Sequence, residues 1–367
     1  MANRIPVQVK FKKMENKISV VMCTFNGEKY LKEQIESIIN QTYPVHELII
    51  QDDCSTDHTM DILRKYEREY TYIHVFSNEK QKGINDNFFS AMARATSDYI
   101  AISDQDDIWE LDKIERQMEA IGDNWLSGCF SKPFAEGDDV TVHFDQRKPN
   151  VYIERLIYMA AAMPGHTLLL KKSLIDLVPC ENSFLFYDHL LSITAASYEK
   201  ISFLEKVLVH QRRHLNAVTY IKPINIQRNI KNFYHYFIRT LSNYVELRNE
   251  IRSYFQQMYN LLEALPEQGS VKSDAQKLAL YQSEKGIAAY VKLTALCVKL
   301  RKKIFHTEEK SNFVSILRAI YFPISCSDYF RNLSKKQTKN KRIKSYIHAK
   351  RKLKKTVRIN PHYLRYR

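Results

Sequence analysis

The chain has 367 residues, of which 44% are hydrophobic and 12% aromatic, with only 8 glycines, 6 cysteines and a formal net charge of +15. Such a length and apolar content exclude a single small module and a wholly disordered chain, and the scarcity of glycine speaks for helix over turn-rich β or collagen-like folds. The charge excess is local: residues 331–367 hold fifteen Lys/Arg and no Asp/Glu, which leaves 41 Lys/Arg against 41 Asp/Glu before them.

Residues 1–16 are polar, basic and patternless, with no apolar run of the secretory kind. Residues 18–22 form a short apolar strand, and Thr24-Phe25-Asn26-Gly27 a turn. The 28–41 segment carries Leu31, Ile35, Ile38 and Ile39 at helical spacing. A second strand over 47–51 runs into Asp52-Asp53-Cys54-Ser55-Thr56-Asp57, where Ser55 or Thr56 can cap a helix bearing Ile62, Leu63 and Tyr66. A strand over 72–76, a helix over 85–95 and a strand over 99–103 follow, the last ending in Asp104-Gln105-Asp106-Asp107. Alternating strands and helices with short connections require parallel strands and right-handed crossovers. The expected fold is therefore an open α/β sheet with ligands at the carboxyl ends of its strands, where Thr24, Asn26, Asp52, Asp53, Asp104, Asp106 and Asp107 stand.

From about residue 151 the pattern changes. Met163-Pro164-Gly165-His166 interrupts it, and 167–170 reads as a strand. Tyr187-Asp188-His189 opens an apolar helix over 190–196, and 201–203 and 207–209 read as short strands. Beyond 222 the chain is helical, with helices near 225–263 and 273–305 separated by Pro266-Glu267-Gln268-Gly269-Ser270. No run of about 18 uncharged apolar residues supports a membrane-spanning helix. The cysteines Cys23, Cys54, Cys129, Cys180, Cys297 and Cys326 include no C-x-x-C pair, so free thiols in a reducing compartment are expected and a zinc site is not.

Three carboxylates within 104–107 repel one another unless a divalent cation offsets them or water solvates them; both readings stand at this point. Asp52-Asp53 either accepts hydrogen bonds from a base or ribose or is simply solvated. Asp188 is a helix cap or a general base, the latter needing reach to a hydroxyl and ionisation near neutral pH. Arg212, Arg213 and His214 neutralise a diphosphate or form an exposed basic turn. His166, after Gly165, is a site residue or an ordinary satisfied polar side chain. Neither a G-x-G-x-x-G nor a G-x-x-x-x-G-K-[ST] motif occurs, against a dinucleotide dehydrogenase and a P-loop ATPase.

The ordered set Val20-Val21-Met22-Cys23-Thr24-Phe25-Asn26, Asp52 to Asp57, residues 83–87 and Ser103-Asp104-Gln105-Asp106-Asp107-Ile108-Trp109 resembles the nucleotide-sugar domain of family 2 glycosyltransferases, the inverting GT-A type. Gly165-His166-Thr167, Tyr187-Asp188-His189 and His210-Gln211-Arg212-Arg213-His214 continue the resemblance, which covers roughly 17–220 and leans towards bacterial rhamnosyltransferase-like enzymes of polysaccharide assembly. It implies a GT-A type open, mostly parallel sheet with flanking helices and a helical C-terminal extension. It implies roles too. Thr24, Asn26, Asp53, Asn87, Asp104, Asp106 and Arg212 would hold the donor, Asp53 facing the base. Asp106, Asp107 and His214 would engage Mn²⁺ or Mg²⁺, Gly165 and His166 would meet the acceptor, and Asp188 would be the catalytic base. Cys23 departs from the common Pro or Thr, Asp86 from Arg, and Tyr187 and His189 from the usual neighbours of the base.

The implied division is a lead-in over 1–16, a catalytic domain over 17–221, a helical region over 222–330 and a basic tail over 331–367. The implied function is metal-dependent inverting transfer from a UDP- or dTDP-sugar, rhamnose among the options, to a glycan or lipid-linked glycan. The other reading is a non-catalytic sugar-nucleotide- or glycan-binding relative acting as a membrane-associated scaffold. The interleaved basic and aromatic tail suits an anionic membrane surface, giving a cytoplasmic protein peripheral on the inner face of the cell membrane. Its neutral body speaks against nucleic acid as a partner.

Overall fold

The computed structural model describes residues 16–137, 140–158, 163–179, 184–214, 230–266, 271–305, 311–328 and 330, the side chains of 230–236 excepted. The first half alternates as the sequence requires: β1 (Ile18–Thr24), α1 (Leu31–Ile39), β2 (Glu47–Asp52), α2 (Thr59–Glu69), β3 (Ile73–Ser77), α3 (Ile84–Arg94) and β4 (Tyr99–Ser103). Then come β5 (Ile108–Trp109), α4 (Lys113–Ile121), β6 (Leu126–Ala135), α5 (Ile153–Leu156), a 3₁₀ turn (Gly165–Thr167), β7 (Leu169–Lys171), a second 3₁₀ turn (Lys172–Leu177), α6 (Tyr187–Ser197) and β8 (Ile201–Arg213).

The eight strands form one sheet in the order β3-β2-β1-β4-β7-β6-β8-β5. β3, β2, β1 and β4 run parallel. β7 is antiparallel to both β4 and β6, β8 is parallel to β6, and β5 is antiparallel to β8. β2 is buried along its whole length and β1 at every residue but Cys23, as parallel strands covered on both faces require. Val20, Met22, Leu48 and Ile50 meet Leu31, Ile35 and Ile38 of α1, whose i, i+4, i+7 spacing makes a single apolar stripe.

Two elements differ from the expectation. The two short strands at 201–209 are one strand, β8, whose register on β6 jumps from Leu204 opposite Cys129 to Val207 opposite Phe130. The exposed Glu205 and Lys206 bulge out at that jump, so the apolar alternation breaks although the strand does not. β6 has no clean alternation and contains Pro133. β7 pairs only with Leu126 and Ser127, so the rest of β6 has an open side on which a proline costs no ladder bond.

The helical region contains α7 (Ile230–Ala264), α8 (Ser273–Ser283), α9 (Ile287–Lys299), α10 (Arg301–Ile304) and α11 (Asn312–Ser325). The single helix expected over 273–305 is broken at Gly286, whose φ of 102° ends α8 and starts α9. The expected start at 225, the boundary at 221–222 and the tail over 331–367 lie outside the described residues. Two compact units result: 1–226 with 257–279 and 300–310, and 227–256 with 280–299 and 311–367. The described cysteines Cys23, Cys54, Cys129, Cys297 and Cys326 carry free thiols. No helix among the described residues is long and apolar enough to cross a membrane.

Candidate active site

The carboxyl ends of β1 and β2 are laced together by their own polar side chains. Thr24 Oγ1 donates to Asp52 Oδ1 at 2.8 Å, and Asp52 also accepts from the N–H and hydroxyl of Ser55. Asn26, at φ 50°, accepts from Thr56 N–H at 2.8 Å and donates its own N–H to Ser55 Oγ. Asp57 caps the start of α2 by accepting from Thr59 N–H at 3.0 Å, a role expected of Ser55 or Thr56. Asp53 is buried and accepts from Asn78 Nδ2, Lys82 N–H and Gly83 N–H, tying the loop before α3 to β2. Asn87 accepts from Asn78 Nδ2 at 2.7 Å and donates to the Gln51 carbonyl. These residues therefore form one hydrogen-bonded edge of the sheet, each with part of its hydrogen-bonding capacity already used.

The acidic run turns back after β4 because β5 pairs with β8, Ile108 opposite His210 and Trp109 opposite Val209. That hook brings 104–107 against Arg212 and His214 and separates the three carboxylates. Asp106 Oδ2 meets His214 Nε2 at 3.0 Å. Asp107 is 1% exposed; its Oδ1 accepts from Arg212 N–H at 3.1 Å, while its Oδ2 has no hydrogen-bond partner. His166 Nδ1 lies 3.2 Å from Asp104 Oδ2 and 3.6 Å from Asp107 Oδ2, and its Nε2 lies 2.9 Å from Ser131 Oγ of β6. Asp104, Asp107 and His166 can each aim one ligand atom at a common point, all within 4.8 Å of one another. Burial raises the pKa of Asp107, with Asp104 and Asp106 adding to it against His166. Burial lowers that of His166, but Asp107 and Asp104 outweigh it and the net shift is upward.

The turn that carries His166 is held from below. Gln117 of α4 donates to the Thr167 carbonyl at 2.8 Å and accepts from the buried Lys113 ammonium at 2.8 Å. Lys113 sits 3.9 Å above the Trp109 ring, and burial pushes its pKa down to about 8.

Asp188 lies in the first turn of α6 beside this turn. Its Oδ2 accepts from Gly165 N–H at 3.2 Å and its Oδ1 from His189 N–H at 2.8 Å. Burial, with the nearby Asp104 charge, raises its pKa to about 6, although those two N–H groups pull it down. Its neighbours are structural: Tyr187 stacks on Phe88 at 4.1 Å, and His189 holds the Leu156 carbonyl at 2.7 Å, with burial taking its pKa to about 4. A Cβ on Gly165 would stand 1.9 Å from Tyr187 Oη. Gly165→Ala is expected to push Tyr187 off Phe88 and tilt the first turn of α6. The measured outcome is at least about a tenfold loss of activity, since small displacements of a reacting group cost that much or more. Unchanged activity would show that this contact does not hold Asp188.

Arg212 is not free to meet a ligand. Its guanidinium pairs with Glu33 of α1, with Glu136 at 2.9 Å and, through Nε, with the Asp106 carbonyl at 3.0 Å, between the rings of Tyr30 and Phe134. It positions the acidic hook. Arg213 beside it has its pKa lowered by burial against the pull of Asp107, Asp106 and Asp104, so its charge faces the carboxylates. A cavity of about 280 Å³ opens between Asn26, Lys29, Tyr30, Asp106, Glu136 and His214. Ser131, Glu33 and Glu136 were not legible in advance, and their partners are 35, 179 and 76 residues away in sequence.

The arrangement is a set of strand-end carboxylates able to hold a cation beside a half-buried carboxylate of raised pKa. Residues 19–180 match the profile described as "Glycosyl transferase family 2". They form a family 2 glycosyltransferase domain. TuaG of Bacillus subtilis (strain 168), a glycosyltransferase assigned to teichuronic acid biosynthesis, is 40% identical over 102 residues, 28% of this chain and 40% of that protein. The dTDP-rhamnosyl transferase RfbG of Shigella flexneri is 32% identical over 162 residues, 41% of this chain and 54% of that protein. The chain thus spans about half or less of the length of these relatives. The solved structure of S. aureus TarS 1–349 in complex with UDP-GlcNAc overlays with a TM-score of 0.52 at 16% identity, covering 88% of this chain and 92% of that one, and shares its fold. The family 2 domain thus contains β1 to β7 and the cluster of Asp104, Asp107 and His166.

Proposed function

We propose that the protein is a divalent-cation-dependent inverting glycosyltransferase of bacterial surface polysaccharide assembly, moving a sugar from a UDP- or dTDP-linked donor to a hydroxyl of a glycan or lipid-linked glycan. The observation that carries this reading is Asp188, a carboxylate of raised pKa beside the Asp104, Asp107 and His166 cluster. The names of RfbG and TarS, a dTDP-sugar enzyme and a UDP-GlcNAc complex, support a thymine or uracil donor.

The residues present fit a cation. Asp107 Oδ2 is buried without a hydrogen bond and has only the His166 ring at 3.6 Å beside it, an arrangement that costs free energy unless something positive completes it. Asp104, Asp107 and His166 would hold the ion, with Asp106 and His214 adjacent. Bound there, Mn²⁺ or Mg²⁺ supplies Lewis-acid stabilisation of charge on the departing diphosphate.

This chain's own residues do the rest. Asp53 Oδ2 accepts one protein N–H and keeps a lone pair for the N3–H that uracil and thymine share. Thr24, Asn26 and Asn87 shape the sheet edge beside it. Arg213 faces the diphosphate, and Arg212 fixes Asp106 and Asp107 from behind. Asp188 takes the proton of the acceptor hydroxyl as that oxygen attacks the anomeric carbon from the face opposite the diphosphate, inverting the centre in one displacement. Gly165, whose N–H meets Asp188, borders the acceptor, while His166 turns to the cation. The fifteen Lys/Arg of residues 331–367 suit the anionic inner face of the cell membrane, where each basic residue near the surface contributes about 1 kcal/mol.

Calorimetric titration with UDP, dTDP, GDP and ADP, each with and without Mn²⁺, tests the donor reading. Binding of UDP or dTDP, strengthened by Mn²⁺, is expected. Preference for a purine nucleotide, or binding indifferent to the metal, would contradict it.

A further inference from the structure

We propose that the exposed apolar faces of α9 and α11, joined by the first half of α7, are the surface by which the protein embeds in an anionic lipid monolayer. This rests on the membrane reading above and deepens it, since it separates embedding by a folded surface from attraction by a charged segment.

α11 exposes Phe313 (70%), Val314, Leu317 (51%) and Ile320, whose spacing puts them along one side of the helix. α9 exposes Ile287 (84%) and Val291 one turn later. α7 exposes Phe237, Ile238, Leu241 and Val245. α9 packs on α11. α7 meets α11 through Phe237 and Tyr321, stacked at 5.2 Å, and holds Asp328 with Thr240 and Asn243. Large apolar side chains gathered in this way on a folded surface mark a binding face.

Charge decides the occupant. α9 and α11 contain no Asp or Glu; their charged residues are Lys292, Lys299 and Arg318. The chain continues from α11 into residues 331–367, with fifteen Lys/Arg and no acid. A second copy seated on this face would bring two such segments together, and the segment folded onto its own face would set cation against cation. An anionic lipid surface takes both: the side chains of α9 and α11 enter the acyl boundary while the basic residues lie among the headgroups. None of these helices is long and apolar enough to cross, so the mode is interfacial.

The test is co-sedimentation of the full chain with phosphatidylcholine vesicles containing about one-third phosphatidylglycerol, and with phosphatidylcholine alone. Phe313→Ser with Leu317→Ser, and separately Ile287→Ser with Val291→Ser, remove exposed side chains and spare the buried ones; melting and gel filtration confirm folding. Wild type is expected on the anionic vesicles. Either pair is expected to weaken partitioning about tenfold with the basic segment intact, leaving residual binding that high salt abolishes. If both pairs bind like wild type, the face is not the embedding surface although the membrane reading survives. If wild type ignores anionic vesicles, both fall. If the substitutions instead turn a wild-type dimer into monomer, the face belongs to a second copy and the proposal is overturned.

Discussion

Asp188→Asn is expected to lower sugar transfer by about 10²- to 10⁴-fold, the usual contribution of a general base, while donor affinity stays within about threefold of wild type. Each carboxylate oxygen of Asp188 accepts one backbone N–H, from Gly165 and from His189, and so retains a lone pair for an acceptor hydroxyl. The amide keeps the shape and loses the basicity. The donor contacts proposed above lie on other elements, at the ends of β1, β2 and β4, and are left intact. The pH profile carries the same signature. With its pKa raised to about 6, Asp188 is ionised above that value, so kcat/KM should be flat at neutral pH and fall about tenfold per pH unit below about 6. Stability moves in the opposite direction. A carboxyl whose folded pKa is raised keeps its proton longer folded than unfolded, so its contribution is favourable at low pH and is lost as pH rises from about 4 through about 6. The melting temperature of Asp188→Asn relative to wild type should therefore climb across that interval. A variant that transfers normally would remove Asp188 from the base role.

The second large effect is expected at Asp107. Saturating Mn²⁺ should raise the melting temperature of the wild type by several degrees, equivalent to ~2.7 kcal/mol at a hundredfold excess over Kd. It should leave Asp107→Asn unmoved. Without metal the order reverses, and the variant should melt above the wild type at pH 8. Asp107 is 1% exposed and its Oδ2 has no hydrogen bond, only His166 Nδ1 at 3.6 Å; burial outweighs that pairing, lifts the carboxyl to about 7 and makes its ionised form costly in the folded state. An amide removes that charge and still accepts from Arg212 N–H through its oxygen. A chelator should bring the wild type down to its metal-free midpoint and stop transfer. Equal Mn²⁺ responses in the two proteins would place the cation elsewhere.

The parallel half of the fold was legible because its strands are uninterrupted apolar runs and its helices carry single apolar stripes. Each run ends at a polar cluster, which places Thr24, Asp52, Asp53 and Asp104 at the sheet's carboxyl edge from the sequence alone. The antiparallel half was legible only in part: β7, α6 and both ends of the apolar pattern of β8 show in the sequence, and β5 and β6 do not. Ile108-Trp109 is too short to read as a strand, yet its pairing with β8 folds the acidic run back on Arg212 and His214. β6 hides behind a broken pattern and Pro133, so Ser131 and Glu136 went unseen. His166, expected at the acceptor, stands against Asp104 and Asp107, and Asp106 pairs with His214 apart from them. The expected metal set of Asp106, Asp107 and His214 is therefore divided between two adjacent groups, because consecutive carboxylates leave a strand end in different directions. Arg212 looked like a phosphate ligand and is instead clamped by Glu33 and Glu136, partners that only the folded chain brings together. Asp53 and Asn87 read as ligand contacts, and much of their capacity goes to tying β2 to the segment before and at the start of α3.

Release of nucleoside diphosphate from a panel of UDP- and dTDP-sugars, dTDP-rhamnose among them, tests the central claim most directly. Wild type and Asp188→Asn are compared with glycan acceptors, with and without Mn²⁺. An inverting transferase that uses Asp188 as its base gives metal-dependent release from one donor by the wild type and near-background release by the variant. Equal release by both proteins, or donor binding without turnover under any of these conditions, would contradict it.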